Sequence, residues 1–286
     1  MNGEPLPIGT LLLIVAAGYG SYQGFKHPEY RERLIFSPYA ILVRKEYIRL
    51  VSSAFLHADW VHFGVNAFTL YSFGGHIEEE FGFPLVALIF FSSVLGGSLL
   101  SLWLHRHHDY KALGASGGVC GVLFASIFLL PGGGVMLFMI PFPIPAYLYA
   151  VLFVLFSTYG IKAARDNIGH DAHLGGAIIG LLVTTAYRPS IVSQSPVTYV
   201  LVVGLSAAAF LYLLRSASTS ASFGNPLAAL RRFFIDERKE AEPPDDANLD
   251  DAVDRILAKI SRQGMDSLTD RERRILKSAS ERRRKN

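Results

Sequence analysis

The chain has 286 residues, of which 51% are hydrophobic and only 18% are charged, and its formal net charge is +3. Soluble domains usually carry about 25% charged residues, so this composition argues against an ordinary soluble domain. The charge is too small and too mixed in sign to indicate nucleic acid as a partner. One cysteine, Cys120, excludes an internal disulfide.

Seven segments approach the roughly 20 apolar residues that a membrane-spanning helix needs. They comprise residues 6–25, 61–77, 83–104, 111–130, 146–161, 172–187 and 198–214. Residues 26–60 are too apolar for a plain linker, so they predict a loop with interfacial helices, where Tyr and Trp are common. Pro131 and the three glycines after it end the fourth span. The pattern predicts an all-α membrane protein in a lipid bilayer.

The composition changes after Arg215. Residues 216–286 hold 15 of the 27 Lys and Arg residues and 13 of the 24 Asp and Glu residues. Residues 216–248 predict a flexible linker, because small polar residues open the stretch. Residues 249–286 predict a small helical tail with two helices. The first carries an apolar face and stops at Gly264, and the second begins with a Thr269–Glu272 capping box.

The predicted apolar face of the tail consists of Leu249, Val253, Ile256, Leu257 and Ile260. A helical hairpin with one apolar face usually packs against something. We therefore expect a protein partner for the tail, either the chain's own membrane domain or another protein. A solvated tail without chemistry is the simpler alternative.

Polar residues near the starts of three predicted spans are the candidate functional residues, because polar side chains are costly inside a membrane. His62 and Asn66 are spaced i, i+4 in the second span and share a helical face. Ser116 lies among glycines in the fourth span. His173 opens the sixth, and Gly176 lies on its side of that helix, as does Gly180 at i+7.

The second, fourth and sixth spans run in the same direction, because one crossing separates each from the next. Ser116, His173 and the donor pair are therefore expected at one membrane depth. A nucleophile, a base and hydrogen-bond donors are the groups that acyl transfer requires. Helix packing is the alternative explanation for Ser116, since the glycines around it have the small-xxx-small spacing.

A metal site is the alternative explanation for the histidines. Imidazole is a common metal ligand, and seven histidines are predicted near the same membrane face: His57, His62, His105, His107, His108, His170 and His173. The chain lacks a His-Glu-x-x-His zinc motif, so we expect neither a metal nor another cofactor. The three histidines beside Arg106 are interpreted as solvated loop residues.

These motifs resemble those of the rhomboid intramembrane serine proteases, over roughly residues 8–187. The Gly-x-Ser-Gly motif is present at 114–117, the His-x-x-x-Asn motif at 62–66 and the Ala-His-x-Gly-Gly motif at 172–176. The resemblance implies that Ser116 is the nucleophile and His173 the base. It also implies that His62, Asn66 and the Ser116 backbone N–H form an oxyanion hole.

The resemblance implies supporting roles for five further residues: His57, Arg49, Gly114, Gly117 and Gly176. Arg49 follows Ile48 where the family has a Trp-Arg pair, so the arginine is kept and the tryptophan is not. We expect His170 to line the mouth of the site. Asp171 is interpreted as a helix cap or loop residue, and no third catalytic carboxylate is evident.

The implied fold is a rhomboid-like six-helix transmembrane bundle at residues 1–190, followed by a seventh span at 191–215. The implied function is hydrolysis of peptide bonds in or near transmembrane helices of membrane-protein substrates, within a cell or inner membrane. A non-proteolytic adaptor or chaperone that binds transmembrane helices is the alternative. The resemblance places the site on the non-cytoplasmic side, whereas the basic loops predict the reverse. The side of the tail stays open.

Overall fold

The structure, a computed structural model, describes residues 6–132, 134–135, 143–163 and 168–219, together with scattered residues between 253 and 280. These residues form helices and one short β-hairpin. The elements are α1 (Ile8–Lys26), α2 (Pro28–Leu34), α3 (Pro38–Leu42), α4 (Arg49–Ser52), a 3₁₀ turn (Ser53–Phe55), α5 (Trp60–Phe81), α6 (Phe83–His105), α7 (Ser116–Leu129), β1 (Gly134–Val135), β2 (Ile144–Pro145), α8 (Ala146–Ala163), α9 (His170–Tyr187), α10 (Ile191–Gln194) and α11 (Pro196–Thr219).

The chain divides into two compact units. The first consists of Met1–Arg106 and Tyr110–Ala217 and contains the apolar helices, and the remainder, which includes the tail, forms the second. The predicted boundaries at residues 190, 215 and 248 within these units stay predictions.

Four helices of the described residues are long and apolar enough to cross a membrane: α1, α6, α8 and α11. The prediction of an all-α, multi-pass membrane protein is therefore confirmed. The other three predicted spans correspond to α5, α7 and α9, which carry the candidate functional residues and many glycines. Helix α7 has only 14 residues. The count of six spans plus a seventh stays a prediction.

The segment between α1 and α5 contains short helices, as predicted. Their location at the membrane interface stays a prediction. Buried Arg49 holds this segment together. Its Nη1 donates to the carbonyl oxygens of Glu32 and Ile35, each at 2.7 Å, and its Nε lies 2.5 Å from Glu46 Oε2. The guanidinium thus satisfies carbonyl groups that the irregular backbone leaves open.

Helix α7 lies at the centre of the membrane unit and packs against α5, α6 and α9. Nearly every side chain of α7 from Gly117 to Leu129 is buried. Fully buried apolar side chains of α6 and α7, among them Ile89, Phe90 and Phe124, fill the core. A helix buried on all sides can be apolar all round, which explains why its sequence shows no polar face.

At the opposite end from the candidate site, the carboxylate of Glu78 holds the start of α1. Its oxygens accept hydrogen bonds from the backbone N–H groups of Gly9 at 2.8 Å and Thr10 at 2.6 Å, and from the Thr10 hydroxyl at 2.7 Å. The first N–H groups of a helix have no partner within the helix, and a negative charge there is favourable. Glu78 thereby ties the end of α5 to the beginning of α1.

Several predicted boundaries shift. The fourth apolar segment was expected from residue 111, but α7 begins at Ser116, because residues 111–115 form a non-helical connection in which Ala112 pairs with Phe36. Helix α9 begins at His170, two residues before the predicted span. Helix α11 continues to Thr219, four residues beyond residue 215. Most of the predicted linker at 216–248 lies outside the described residues.

The described residues of the tail are helical. Val253 and Ala279 are buried together, with Ile275 and Leu276 against them, and these side chains form an apolar face. The two-helix tail stays a prediction. Leu257 is 50% exposed, so it lies off that face. Leu249, Gly264 and Thr269 lie outside the described residues.

Candidate active site

The side chains of Ser116 and His173 meet at the starts of α7 and α9. Ser116 is the first residue of α7, and His173 lies in the first turn of α9. The Ser116 Oγ lies 2.7 Å from the His173 Nε2, which is the distance of a good hydrogen bond. Both residues are half-buried. With the hydroxyl as donor, Nε2 is unprotonated and can accept its proton.

Glycines allow α9 to approach α7 closely enough for this contact. A Cβ added at Gly176 would lie 2.0 Å from the carbonyl oxygen of Gly117, and one added at Gly180 would lie 2.4 Å from the backbone of Gly121. No side chain fits at either position. The glycine strip on α9 therefore faces α7, and the backbone contact sets the distance between Ser116 and His173.

His62 faces the same point from α5. Its Nδ1 lies 3.5 Å from the backbone N of Ala58, which leaves Nε2 as the protonated nitrogen. That Nε2 lies 3.0 Å from a Cβ built at Gly114, and the Ser116 Oγ lies 3.6 Å from the same position. The imidazole is thus aimed at the space beside the serine hydroxyl, where it can donate to an oxyanion.

Asn66 is buried one turn further along α5. Its Nδ2 donates to the His62 carbonyl oxygen at 2.9 Å. A primary amide carries two N–H groups, so this bond uses one of them and orients the other. The side-chain oxygen of Asp59 accepts from the His62 backbone N–H at 2.8 Å and caps the helix. The Asp59 cap and the hydrogen bond across one helical turn therefore position the side chains of His62 and Asn66.

The backbone before Ser116 takes a conformation that requires glycine. Gly114 has a φ of 133°, which residues with a side chain rarely adopt. A Cβ at this position would also lie 2.8 Å from the His62 ring. The Gly114 N–H donates to the Ser53 carbonyl oxygen at 3.0 Å. The glycine before the serine thus lets the chain turn into α7 against the donor histidine.

His57 supports the same loop and does not contact the Ser116 hydroxyl. Its Nε2 accepts from the Ala115 backbone N–H at 3.3 Å, and its Nδ1 lies 2.9 Å from the Ser21 Oγ. Ser21 in turn donates to the Ala17 carbonyl oxygen, so His57 Nδ1 carries the proton. Burial lowers the pKa of His57 to about 4, with a smaller contribution from His62. The ring bridges α1 and the serine loop in its neutral form.

Arg49 lies outside the contact between serine and histidine. Its three polar contacts hold the segment between α2 and α4, as described above. The residue before it, Ile48, is 65% exposed, so the position of the family's tryptophan is filled by an exposed aliphatic side chain. Arg49 therefore stabilises the segment between α2 and α4 and does not take part in the serine–histidine contact.

The expectation that His170 lines the mouth of the site is wrong. The side chain is 2% exposed and packs against α8. Its ring lies 5.2 Å from that of Phe156 and occupies the space where Gly160 would carry a Cβ. Because α9 begins at residue 170 and not at 172, this side chain points between two helices.

The interpretations of His105 and Asp171 also change. His105 was expected in a solvated loop, but it is the last residue of α6 and its Nε2 lies 3.0 Å from Asp171 Oδ2. Asp171 is 4% exposed and lies within the first turn of α9, after the N-cap residue Gly169. It faces α6 and not His173. Sequence reasoning missed this pair, since the only signal was a histidine and an aspartate 66 residues apart.

The remaining histidines do not assemble around one point. Within the ranges that the structure describes, no group of three His, Cys, Asp or Glu side chains is arranged to hold a metal ion. His57 and His62 have their rings 4.9 Å apart and edge to face, which is a packing contact. The contacts at the candidate site are those of a serine, its histidine and hydrogen-bond donors.

The fold and this site define a multi-pass α-helical membrane protein in which a serine and a histidine meet near the starts of two buried helices. The chain belongs to the rhomboid family: the model described as Rhomboid domain matches residues 44–190, just over half of the chain. A second model, a family of unknown function designated DUF6576, matches residues 247–282 in the tail.

Curated relatives agree with this family. The chain is 31% identical over 150 residues to Rhomboid protein 1, mitochondrial, of Saccharomyces cerevisiae, covering 50% of this chain and 43% of the relative. It is 32% identical over 159 residues to RHOMBOID-like protein 12, mitochondrial, of Arabidopsis thaliana, covering 49% and 46%. It is 24% identical over 147 residues to Rhomboid protease GluP of Bacillus subtilis, covering 51% and 27%. The chain thus spans less than half the length of each.

Proposed function

We propose that this protein is an intramembrane serine endopeptidase that hydrolyses peptide bonds in or near transmembrane helices of other membrane proteins. The observation that carries the proposal is the 2.7 Å contact between Ser116 Oγ and His173 Nε2. Membership of the family and the similarity to a relative named a protease support it. The membrane would be a cell membrane or an inner membrane.

The reaction begins when the Ser116 Oγ attacks the carbonyl carbon of the peptide bond while His173 Nε2 takes the hydroxyl proton. The carbonyl oxygen becomes an oxyanion beside the His62 Nε2–H, the Asn66 amide and the backbone N–H of Ser116. This N–H belongs to the first turn of α7, where helix N–H groups have no intrahelical partner and the helix dipole favours negative charge.

Collapse of the oxyanion breaks the C–N bond, and the imidazolium of His173 gives its proton to the leaving amine. A water molecule then attacks the acyl-serine, again with His173 as base, and releases the carboxylate and the serine hydroxyl. The described residues place no carboxylate against His173, because Asp171 faces His105. The proposed chemistry uses a pair of residues and the donors around them.

A transmembrane helix must unwind locally before this site can cut it, because its peptide bonds are shielded by their own hydrogen bonds and side chains. The half-buried positions of Ser116 and His173 suit a substrate that approaches from within the bilayer. Membrane proteins with helices that unwind near the membrane surface are the proposed substrate class.

Cleavage of a reporter with one transmembrane helix tests the proposal, with the purified full chain in lipid vesicles. Ser116→Ala and His173→Ala should each lower the cleavage rate by about 10⁴-fold or more, as the loss of a nucleophile or base does in other serine proteases. Ser126→Ala is the matched control. That serine lies on α7, and its hydroxyl donates to the Leu123 carbonyl oxygen, so its loss should leave cleavage within about twofold of wild type.

Retained cleavage by Ser116→Ala would exclude the mechanism. Wild-type protein that binds the reporter without cutting it would instead support the adaptor alternative, which uses the fold but not the serine. Labelling with a fluorophosphonate separates the two directly, because an adaptor has no need of an activated hydroxyl.

A further inference from the structure

We propose that Asp171, His105 and Tyr110 form a positioning cluster that fixes the start of α9, and with it His173, against the loop that carries Ser116. The inference rests on the proposed serine–histidine chemistry. None of the three side chains touches the Ser116 hydroxyl, so the cluster acts through the residues it holds. Its members come from the end of α6, the loop after α6 and the start of α9.

The first turn of α9 carries three polar side chains that point to three different helices. His170 packs against Phe156 and Gly160 of α8. His173 faces Ser116 of α7. Asp171 faces the end of α6. The turn that bears the base is thus held from three sides, and the only acidic side chain in it serves the contact with α6.

The contact between Asp171 and His105 joins a buried carboxylate to a partly exposed imidazole within ion-pair distance. His105 Nε2 lies 3.0 Å from Asp171 Oδ2, and the aspartate side chain is 5% exposed. A buried carboxylate is strongly unfavourable without a partner. Removing His105 would leave this carboxylate buried without its imidazole partner, so the pair favours an arrangement in which the two helix ends stay together.

Tyr110 extends the cluster to the serine loop. Its ring stacks on that of His105, with centroids 3.7 Å apart and an angle of 6° between the planes. Its hydroxyl lies 3.9 Å from a Cβ built at Gly169, the N-cap residue of α9. Burial, with a smaller contribution from the charge of Asp171, raises the pKa of Tyr110, so the phenol stays neutral.

The loop from Arg106 to Ala115 ends directly before Ser116 and is anchored to Phe36 at two positions, Tyr110 and Ala112. The Tyr110 ring meets Phe36 edge to face at 6.1 Å. Ala112 exchanges backbone hydrogen bonds with Phe36 at 3.0 and 3.3 Å. A shift of Tyr110 or His105 would therefore move the serine loop relative to α9 and change the Ser116–His173 distance.

The test compares Asp171→Ala, His105→Ala and Tyr110→Ala in the full-length protein, with the reporter and with a fluorophosphonate that labels Ser116. Each should lower kcat and the labelling rate about 10- to 100-fold, because misplacement of a reacting group by 1 Å can cost about 10²-fold. KM should change less than about threefold, since the substrate contacts are intact.

Conservative variants separate positioning from general loss of structure. Tyr110→Phe keeps the stacked ring and should retain kcat within about twofold, while His105→Gln keeps a hydrogen-bond donor and should lose less than His105→Ala. The double variant Asp171→Ala/His105→Ala should lose no more than the worse single variant, because both remove the same contact. Where an alanine variant does not fold, the kcat and labelling rate of His105→Gln and Tyr110→Phe are compared with those of the wild type instead.

An unchanged kcat in folded Asp171→Ala protein would contradict the proposed role of the cluster. So would a double variant whose loss of kcat equals the product of the two single losses. A wild-type protein that neither cleaves the reporter nor labels at Ser116 would count against the serine–histidine pair itself. The two failures are therefore distinct: the first leaves wild-type labelling intact, and the second abolishes it.

Discussion

The inner helices α7 and α9 and the outer helices α8 and α11 contain similar apolar residues but pack differently. In α7 and α9 the backbones touch, and glycines such as Gly176 leave no room for a methyl group. In α11, a Cβ added at Gly204 meets no atom within 4 Å. Helices α8 and α11 expose large apolar side chains, including Leu152, Leu155, Tyr159, Val200 and Leu211.

The difference follows from the bilayer as a solvent. Lipid tails are as apolar as leucine, so apolar side chains alone give little drive for two membrane helices to associate. Close backbone packing and polar contacts supply that drive, and both concentrate where α6, α7 and α9 meet. The site is built from the closely packed inner helices, whereas the outer helices present surfaces suited to lipid.

The effect of one added methyl group on stability and cleavage should differ most between the inner and outer helices. Gly176→Ala drives a carbon into the Gly117 carbonyl oxygen, so its cost should reach or exceed the usual overpacking range of about 1–3 kcal/mol and abolish cleavage. Gly204→Ala should leave both stability and cleavage unchanged, or raise stability by up to about 1 kcal/mol through helix propensity.

Thermal unfolding in detergent can be followed with a maleimide dye that reacts with Cys120, the only cysteine in the sequence. Cys120 lies in α7, so its reaction reports the inner packing. Equal losses of stability in the Gly176 and Gly204 variants would show that the two regions are packed alike and would contradict the comparison.

Acidification should lower the free energy of unfolding, because His57 is buried in its neutral form. Its pKa is near 6.5 when unfolded and about 4 when folded, so the unfolded state binds the extra proton between these values. Stability is then complete above pH 6.5 and falls as the pH drops towards 4, by up to about 3 kcal/mol.

The matched variant for this effect is His57→Gln, which keeps an acceptor for the Ala115 N–H and does not titrate. Its unfolding temperature should change less than that of the wild type between pH 7 and about pH 4.5, by the same linkage. Parallel pH curves for the two proteins would assign the acid sensitivity to other groups.

A smaller effect is expected at the far end of the membrane unit. Glu78→Gln removes the charge that caps α1 but keeps an acceptor oxygen, so it should cost about 1–2 kcal/mol. The neighbouring exposed Glu79→Gln should be within about 0.5 kcal/mol of wild type. Cleavage per folded molecule should stay unchanged in both, because this end is remote from Ser116. A selective loss of cleavage in Glu78→Gln would link the two ends.

The sequence predicted what depends on helix direction and on spacing within one helix. Spans separated by one crossing run in parallel, which predicted that Ser116 and His173 lie at one depth. The i, i+4 rule predicted that His62 and Asn66 share a face, and small residues at i+3 and i+7 predicted the glycine strip. The family and the all-α membrane fold are confirmed, and the catalytic roles stay proposals.

What could not be predicted depends on contacts between distant segments. From the sequence alone, each of three residues has a simple interpretation. His105 is interpreted as a loop residue, His170 as a residue at the mouth of the site and Asp171 as a helix cap. Their structural roles arise because α9 begins earlier than its apolar pattern indicates and because the end of α6 lies beside it. No periodicity marks such a contact.

Mapping the site of a fluorophosphonate adduct by mass spectrometry tests the central claim most directly. In the wild-type protein the adduct should be found on Ser116, and in His173→Ala the rate of its formation should fall by about 10³-fold or more, because the base that activates the hydroxyl is lost. An adduct on another serine, or equal labelling with and without His173, would contradict the account.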